Sequence, residues 1–192
     1  MSHNQNIEIE FKNMLTKEEY ELLLTHFHIQ KEELFEQENH YFDTSDFALK
    51  KNHSALRIRK KKEDYELTLK QPHRDGLLET NKILSKEESD AIFATGKIND
   101  EQISGLLNIN PASILYFGSL RTIRAEKQIG NGLLVLDHSF YLKKEDYELE
   151  YEVSNREKGE IYFTELLSTL KIPVRKTKNK VRRFYEEKYK QK

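Results

Sequence analysis

At 192 residues, with a formal net charge of -1 and 34% charged side chains, the chain can bury one sizeable core but lacks the positive excess of a protein that simply coats nucleic acid. It contains no cysteine, which excludes disulfides, thiol nucleophiles and zinc–thiolate sites and fits a reducing cytoplasm. Met1 to Asn6 are polar with no apolar signal region, and no run is long enough to span a membrane.

In chain order, Ile7, Ile9 and Phe11 alternate with Glu8, Glu10 and Lys12, which predicts a strand. Thr16 with Glu19 three residues on forms a capping-box signal for a helix to Phe27, with Tyr20, Leu23, Leu24 and Phe27 at helical spacing. Strands are expected near Glu36 to Thr44, around Leu56 and Ile58, around Tyr65 to Leu69, and from Leu77 to Leu84. A tight turn is expected at Pro72–Gly76, which contains Asp75-Gly76. Ser85 with Glu88 repeats the capping signal. Further strands are expected from Tyr116 to Lys127, from Gly132 to Leu142 after a turn at Gly130–Gly132, and across Tyr147 to Val153. Glu157 to Leu170 reads as an amphipathic helix, and Asn179 to Tyr189 as a basic one.

About eight strands in neighbouring pairs, interrupted by helices, predict an α+β fold: an eight-stranded antiparallel β-barrel flanked by helices, with closure removing exposed edges. With 3 prolines and 7 glycines and no linker-like stretch, residues 1–192 are expected to form one domain.

The strand faces carry an unusual charge pattern. Glu8, Glu10 and Lys12 share one face, Arg57 and Arg59 another, and Glu148, Glu150 and Glu152 a third. Like charges two residues apart repel, and folding alone does not ask for them. Rows of glutamate suit hard divalent cations, and paired arginines suit phosphate oxygens. If these faces line a barrel, the lumen is charged and wet, and the apolar faces turn outward beneath the helices. Parity leaves open which two of Glu148, Glu150 and Glu152 bind metal. Arg121 and Arg124 are three apart, so a regular strand sends them to opposite faces. Arg121 is taken as the inward residue, with Arg124 as the alternative. The run Lys176, Lys178, Lys180, Arg182 and Arg183 reads equally as an anion gate, a nucleic-acid patch or a soluble helix.

The segment Glu8-Ile9-Glu10-Phe11-Lys12 resembles the Glu-x-Glu-x-Lys opening of the CYTH domain, the triphosphate tunnel metalloenzyme superfamily. Tyr41-Phe42-Asp43-Thr44, Arg57-Ile58-Arg59, Leu67-Thr68-Leu69-Lys70, Glu79, Arg121, Asp137, Glu148-Leu149-Glu150 and Lys180 follow in the order of that family, closest to its YjbK-type members in Firmicutes. The resemblance implies a triphosphate tunnel and a phosphohydrolase dependent on Mg²⁺ or Mn²⁺. It implies Lys12, Arg57, Arg59, Lys70, Arg121 and Lys180 as triphosphate ligands. It implies Glu8, Glu10, Glu148 and Glu150 as catalytic metal ligands, with Glu79 and Asp137 in the same carboxylate network. Tyr41 and Asp43 are expected as tunnel-wall residues.

The implied partner is a triphosphate-containing small molecule, without nucleic acid or membrane, in a cytoplasmic protein that is compatible with a homodimer. The resemblance also admits a class IV-type adenylyl cyclase and a non-catalytic polyphosphate or nucleotide sensor. The histidines, His40, His53 and His138 among them, show no metal-ligand spacing and are expected to pack or face solvent.

Overall fold

The computed structural model describes residues 3–98 and 100–190. Among the described residues there are eight strands: β1 (Asn4–Leu15), β2 (Phe35–Thr44), β3 (Ala55–Lys61), β4 (Asp64–His73), β5 (Gly76–Leu84), β6 (Ile114–Ile129), β7 (Gly132–Tyr141) and β8 (Lys144–Val153). They close into a barrel in the order β1-β5-β4-β3-β2-β6-β7-β8. Among the described residues six α-helices flank it: α1 (Lys17–His26), α2 (Ala48–Lys51), α3 (Lys86–Thr95), α4 (Glu101–Leu107), α5 (Arg156–Thr169) and α6 (Lys180–Lys190). The expected α+β barrel is therefore the fold.

Two compact units divide the chain. One comprises Gln37–Leu120 with the start of β1 through Ile7, and the other Glu8–Glu36 with the chain from Arg121 onward. In the first, β2 to β5 turn Phe42, Leu56, Ile58, Leu67, Leu69 and Leu84 into one apolar cluster, joined by Ile103 of α4 and by Ile92 and Phe93 of α3. Their alternate positions, Arg57, Arg59, Thr68 and Lys70 among them, fall on the other face by strand parity.

In the second unit, Leu134 and Leu136 of β7 and Leu149 and Tyr151 of β8 pack with Leu23 of α1 and Phe163, Leu166 and Leu167 of α5. Burying each such side chain contributes about 1.5–3 kcal/mol. Here too the apolar face lies beneath helices and the charged residues take the opposite face.

Local sequence explains most of the helix boundaries. Thr16 and Glu19 form the expected capping box on α1, as do Ser85 and Glu88 on α3. Asn155 caps α5 by accepting from the Lys158 amide. Gly159 lets α5 sit close to the sheet: a Cβ there would lie 2.6 Å from Val153 and 2.9 Å from Phe11.

Two helices were not expected from periodicity, because each is too short to show it. The α2 turn is held by Asp43, whose carboxylate accepts from the amides of Thr44, Leu49 and Lys50 at 2.7, 3.0 and 3.2 Å. Asp43 is thus an anchor for local backbone rather than only a wall residue. Asp100 caps α4 through the Ile103 amide.

Candidate functional site

Two hairpin registers and one long-range strand pairing build the acidic part of the site. The turn at Gly130 pairs Ile129 with Gly132, and counting back from it sets Arg124 opposite Asp137. The β7–β8 hairpin sets Asp137 opposite Glu148 and Val135 opposite Glu150. The β1–β8 pairing sets Lys12 opposite Glu150 and Glu10 opposite Glu152. Asp137 and Glu148 are wholly buried, and Glu150 nearly so.

Carboxylates this deep need compensation. Arg124 forks onto Asp137 at 2.7 and 2.6 Å and reaches Glu150 at 3.2 Å. Lys180, the first residue of α6, places its ammonium 2.6 Å from Glu148, 2.7 Å from Glu150 and 2.8 Å from Asp137. Arg183 donates to Glu148 at 2.9 Å and to Asp146 at 2.9 and 3.2 Å. Lys12 sits 2.5 Å from Glu10 and 3.9 Å from Glu150.

Burial by itself would push the carboxylates toward protonation. At Glu150 the charges of Lys180, Lys12 and Arg124 overcome it and hold the group well below the usual carboxylate range. At Asp137, Arg124 and Lys180 also outweigh burial and hold the group below its ordinary value. Burial would also strip the proton from Lys180, but Asp137, Glu148 and Glu150 reverse that and hold its ammonium well above its ordinary range.

Oxygens of Asp137, Glu148 and Glu150 lie within 4.8 Å of one another. Glu148 Oε1 is buried and has no hydrogen-bond partner. An unsatisfied buried carboxylate oxygen beside the ionised Asp137 and Glu150 fits a hard divalent cation. Among the described residues, Glu8, Glu10, Glu79 and Glu152 lie outside this three-residue group.

The first unit carries its own polar cluster on β2 to β5. Arg57 lies opposite Tyr41 and Thr68, and Arg59 opposite Asn39 and Glu66. Arg59 donates to Asn39 at 3.0 Å. Lys70 pairs with Glu79 across the β4–β5 hairpin at 2.6 Å. Burial raises the Glu79 carboxyl, yet Lys70 and Arg57 outweigh it and bring it down to about 2. Arg57 Nε is buried with no hydrogen-bond partner.

The structure corrects the placement of Arg121. Strand β6 is regular between the two arginines, so Arg121 falls on the face opposite Arg124. It pairs with Glu36 at 2.9 Å and lies over the Phe140 ring at 4.5 Å, while Arg124 occupies the cluster. Glu79 is likewise placed with Lys70 rather than with the Asp137 group. His138 stacks on Tyr147, and His40 packs against Phe93.

Sequence reasoning named Arg183 only within the basic run around Lys180, and it passed over Asp146 and Tyr141. Tyr141 donates to Asp146 at 2.7 Å, which links it through Arg183 to Glu148. Arg183 follows Lys180 by one helical turn and Asp146 shares the parity of Glu148, so both signals were present.

A closed antiparallel β-barrel flanked by helices, with a buried cluster of acids and bases, is the class that the fold and site define. The CYTH domain family model matches residues 6–185, and the chain belongs to that family. It is 50% identical over 189 residues to the Bacillus subtilis (strain 168) protein named "Putative triphosphatase YjbK", covering 97% of this chain and 98% of that one. It is 42% identical to a crystal structure from Bacillus halodurans named "putative adenylate cyclase", with a TM-score of 0.90 over 94% of this chain and 98% of that one. The fold is also shared with HpAC1 from Hippeastrum, at 21% identity and a TM-score of 0.78, over 94% of this chain and 96% of that one. No helix among the described residues is long and apolar enough to cross a membrane.

Proposed function

We propose that this protein hydrolyses a triphosphate, either inorganic tripolyphosphate or a small organic triphosphate, with the help of Mg²⁺ or Mn²⁺. The observation that carries the reading is the buried Asp137–Glu148–Glu150 group, with Glu148 Oε1 unpartnered, set against Lys180. The triphosphatase name of the Bacillus subtilis relative supports it.

Asp137, Glu148 and Glu150 would hold the cation, which when bound supplies charge neutralisation and polarises a phosphoryl oxygen. Lys180, Lys12 and Arg124 would donate to phosphate oxygens, each exchanging a carboxylate contact for a phosphate one. Arg57, Arg59 and Lys70 on β3 and β4 are proposed as further phosphate ligands, with Arg57 Nε a donor still to be satisfied. Glu8 and Glu10, which share a face of β1 with Lys12, are proposed as a second carboxylate pair. A carboxylate held as low as Glu150 is a weak base, so its part is to bind and orient rather than to remove a proton.

Incubation with tripolyphosphate, ATP or thiamine triphosphate, with Mg²⁺ or Mn²⁺, tests the proposal. Orthophosphate release is the expected result. Cyclic AMP with pyrophosphate would instead support a cyclase, the reading that the name of the Bacillus halodurans relative favours. Binding without products would support a sensor.

A further inference from the structure

Lys180 has an unusual problem. Its ammonium is anchored by Glu148, Glu150 and Asp137, the same carboxylates proposed to take a cation. When cation and triphosphate arrive, those anchors must be shared, so something else must keep the residue at the site. Residues 172–179, which lead into it, have no regular secondary structure. A free segment of that kind would have to be ordered on every binding event, at an entropic cost.

We infer that Asn13, Glu19, Arg175 and Thr177 form a latch that fixes this segment and so positions Lys180 in the site; the inference rests on the triphosphatase reading. Asn13 of β1 is wholly buried, and its side chain is spent on the segment's backbone. Its Oδ1 accepts from the Arg175 amide at 2.6 Å, and its Nδ2 donates to the Pro173 carbonyl at 3.0 Å. Thr177 Oγ1 accepts from the Met14 amide at 2.9 Å and donates to the Arg175 carbonyl at 3.0 Å. The Arg175 guanidinium forks onto Glu19 of α1 at 2.7 and 2.8 Å and also donates to the Met14 carbonyl at 2.9 Å.

These contacts tie the segment to β1 and α1 close before Lys180. At its far end, Arg183 donates to the Lys178 carbonyl at 2.5 Å. The segment is therefore held by bonds that neither triphosphate nor cation has to break. Asn13, Glu19, Arg175 and Thr177 act as positioning residues: none touches the carboxylate group itself.

The test is a mutant cycle between Arg175→Ala and Lys180→Ala. Backbone hydrogen exchange is followed over residues 172–185, and KM and kcat are measured with tripolyphosphate and Mg²⁺. Arg175→Ala is expected to speed exchange across the segment and to raise KM about tenfold, with kcat far less affected. Arg175→Lys, which keeps a donor to Glu19, should recover part of the loss. In the Lys180→Ala background, adding Arg175→Ala should change KM by no more than about twofold, because the residue it positions is gone. Unchanged exchange across the segment, or the same tenfold rise in KM in both backgrounds, overturns the latch. Should Arg175→Ala fail to fold, Thr177→Val, which removes only the two hydroxyl bonds, carries the same test. If the wild-type protein neither binds nor hydrolyses tripolyphosphate, the triphosphatase reading fails, and the exchange data alone then decide the latch.

Discussion

The two units solve the problem of charge on a strand face in opposite ways. In the unit that contains β7 and β8, acids dominate: Asp137, Asp146, Glu148, Glu150 and Glu10 face Lys12, Arg124, Lys180 and Arg183. In the unit that contains β3 and β4, bases lead: Arg57 and Arg59 share a face of β3, with Glu66 opposite Arg59, and Glu79 pairs with Lys70. The first arrangement leaves a carboxylate oxygen without a donor, and the second leaves a guanidinium nitrogen without an acceptor. One calls for a cation and the other for an anion. A row of like charge is thus stable in either sign, provided that neighbouring strands or a helix bring most of the opposite charge and that a ligand supplies the rest.

The sharpest way to break this contrast is at the acidic cluster. Glu148→Gln and Glu150→Gln are each expected to lower metal-dependent phosphate release by about 10²-fold or more. Full activity in both variants would remove these residues from the site. Next in size is the cationic cluster. Arg57→Ala should raise KM for tripolyphosphate by about tenfold, the worth of one charge-assisted bond, while Mn²⁺ affinity measured without substrate stays unchanged. A parallel loss of metal affinity would show that the two clusters do not divide the work in this way.

Stability separates the two β6 arginines. Arg124→Ala removes the guanidinium fork from the buried Asp137 and Glu150, leaving Lys180 to offset both, and should cost about 3–5 kcal/mol in urea unfolding. Arg121→Ala gives up an exposed pair with Glu36 and a contact over the Phe140 ring and should cost about 1 kcal/mol, with KM unchanged. Equal losses would return Arg121 to the site.

A pH experiment addresses Glu79. Its carboxyl lies at about 2 in the folded protein against 4.5 ordinarily, so its contribution is fully present above the ordinary value. That contribution, roughly 3 kcal/mol at most, is lost as pH falls from there toward the folded value. Glu79→Gln should flatten the decline in unfolding free energy in that window, and an unchanged slope would count against the Lys70–Glu79 pair.

Much of this is legible in the sequence alone. Strand parity placed Glu148 with Glu150 and Arg57 with Arg59, because side chains alternate strictly on a pleated strand. Capping boxes at Thr16 and Ser85 located the starts of α1 and α3. Even the choice between Arg121 and Arg124 was encoded, since register counted from the Gly130 turn sets Arg124 against Asp137. It was missed because parity alone cannot say which face of an isolated strand is the inner one. The short α2 and α4 escaped notice because a helix of one or two turns has no periodicity to read.

By itself, then, the sequence determined the strands, their charged faces and the local hairpin registers, all of which follow from interactions between near neighbours. Tertiary structure alone decided that Lys180 and Arg183 would reach Glu148 from α6, and that Asn13 would tie down the segment leading there. Those contacts join parts of the chain far apart in sequence. No periodicity or turn chemistry encodes them, because their geometry is fixed only once the helices have packed on the sheet.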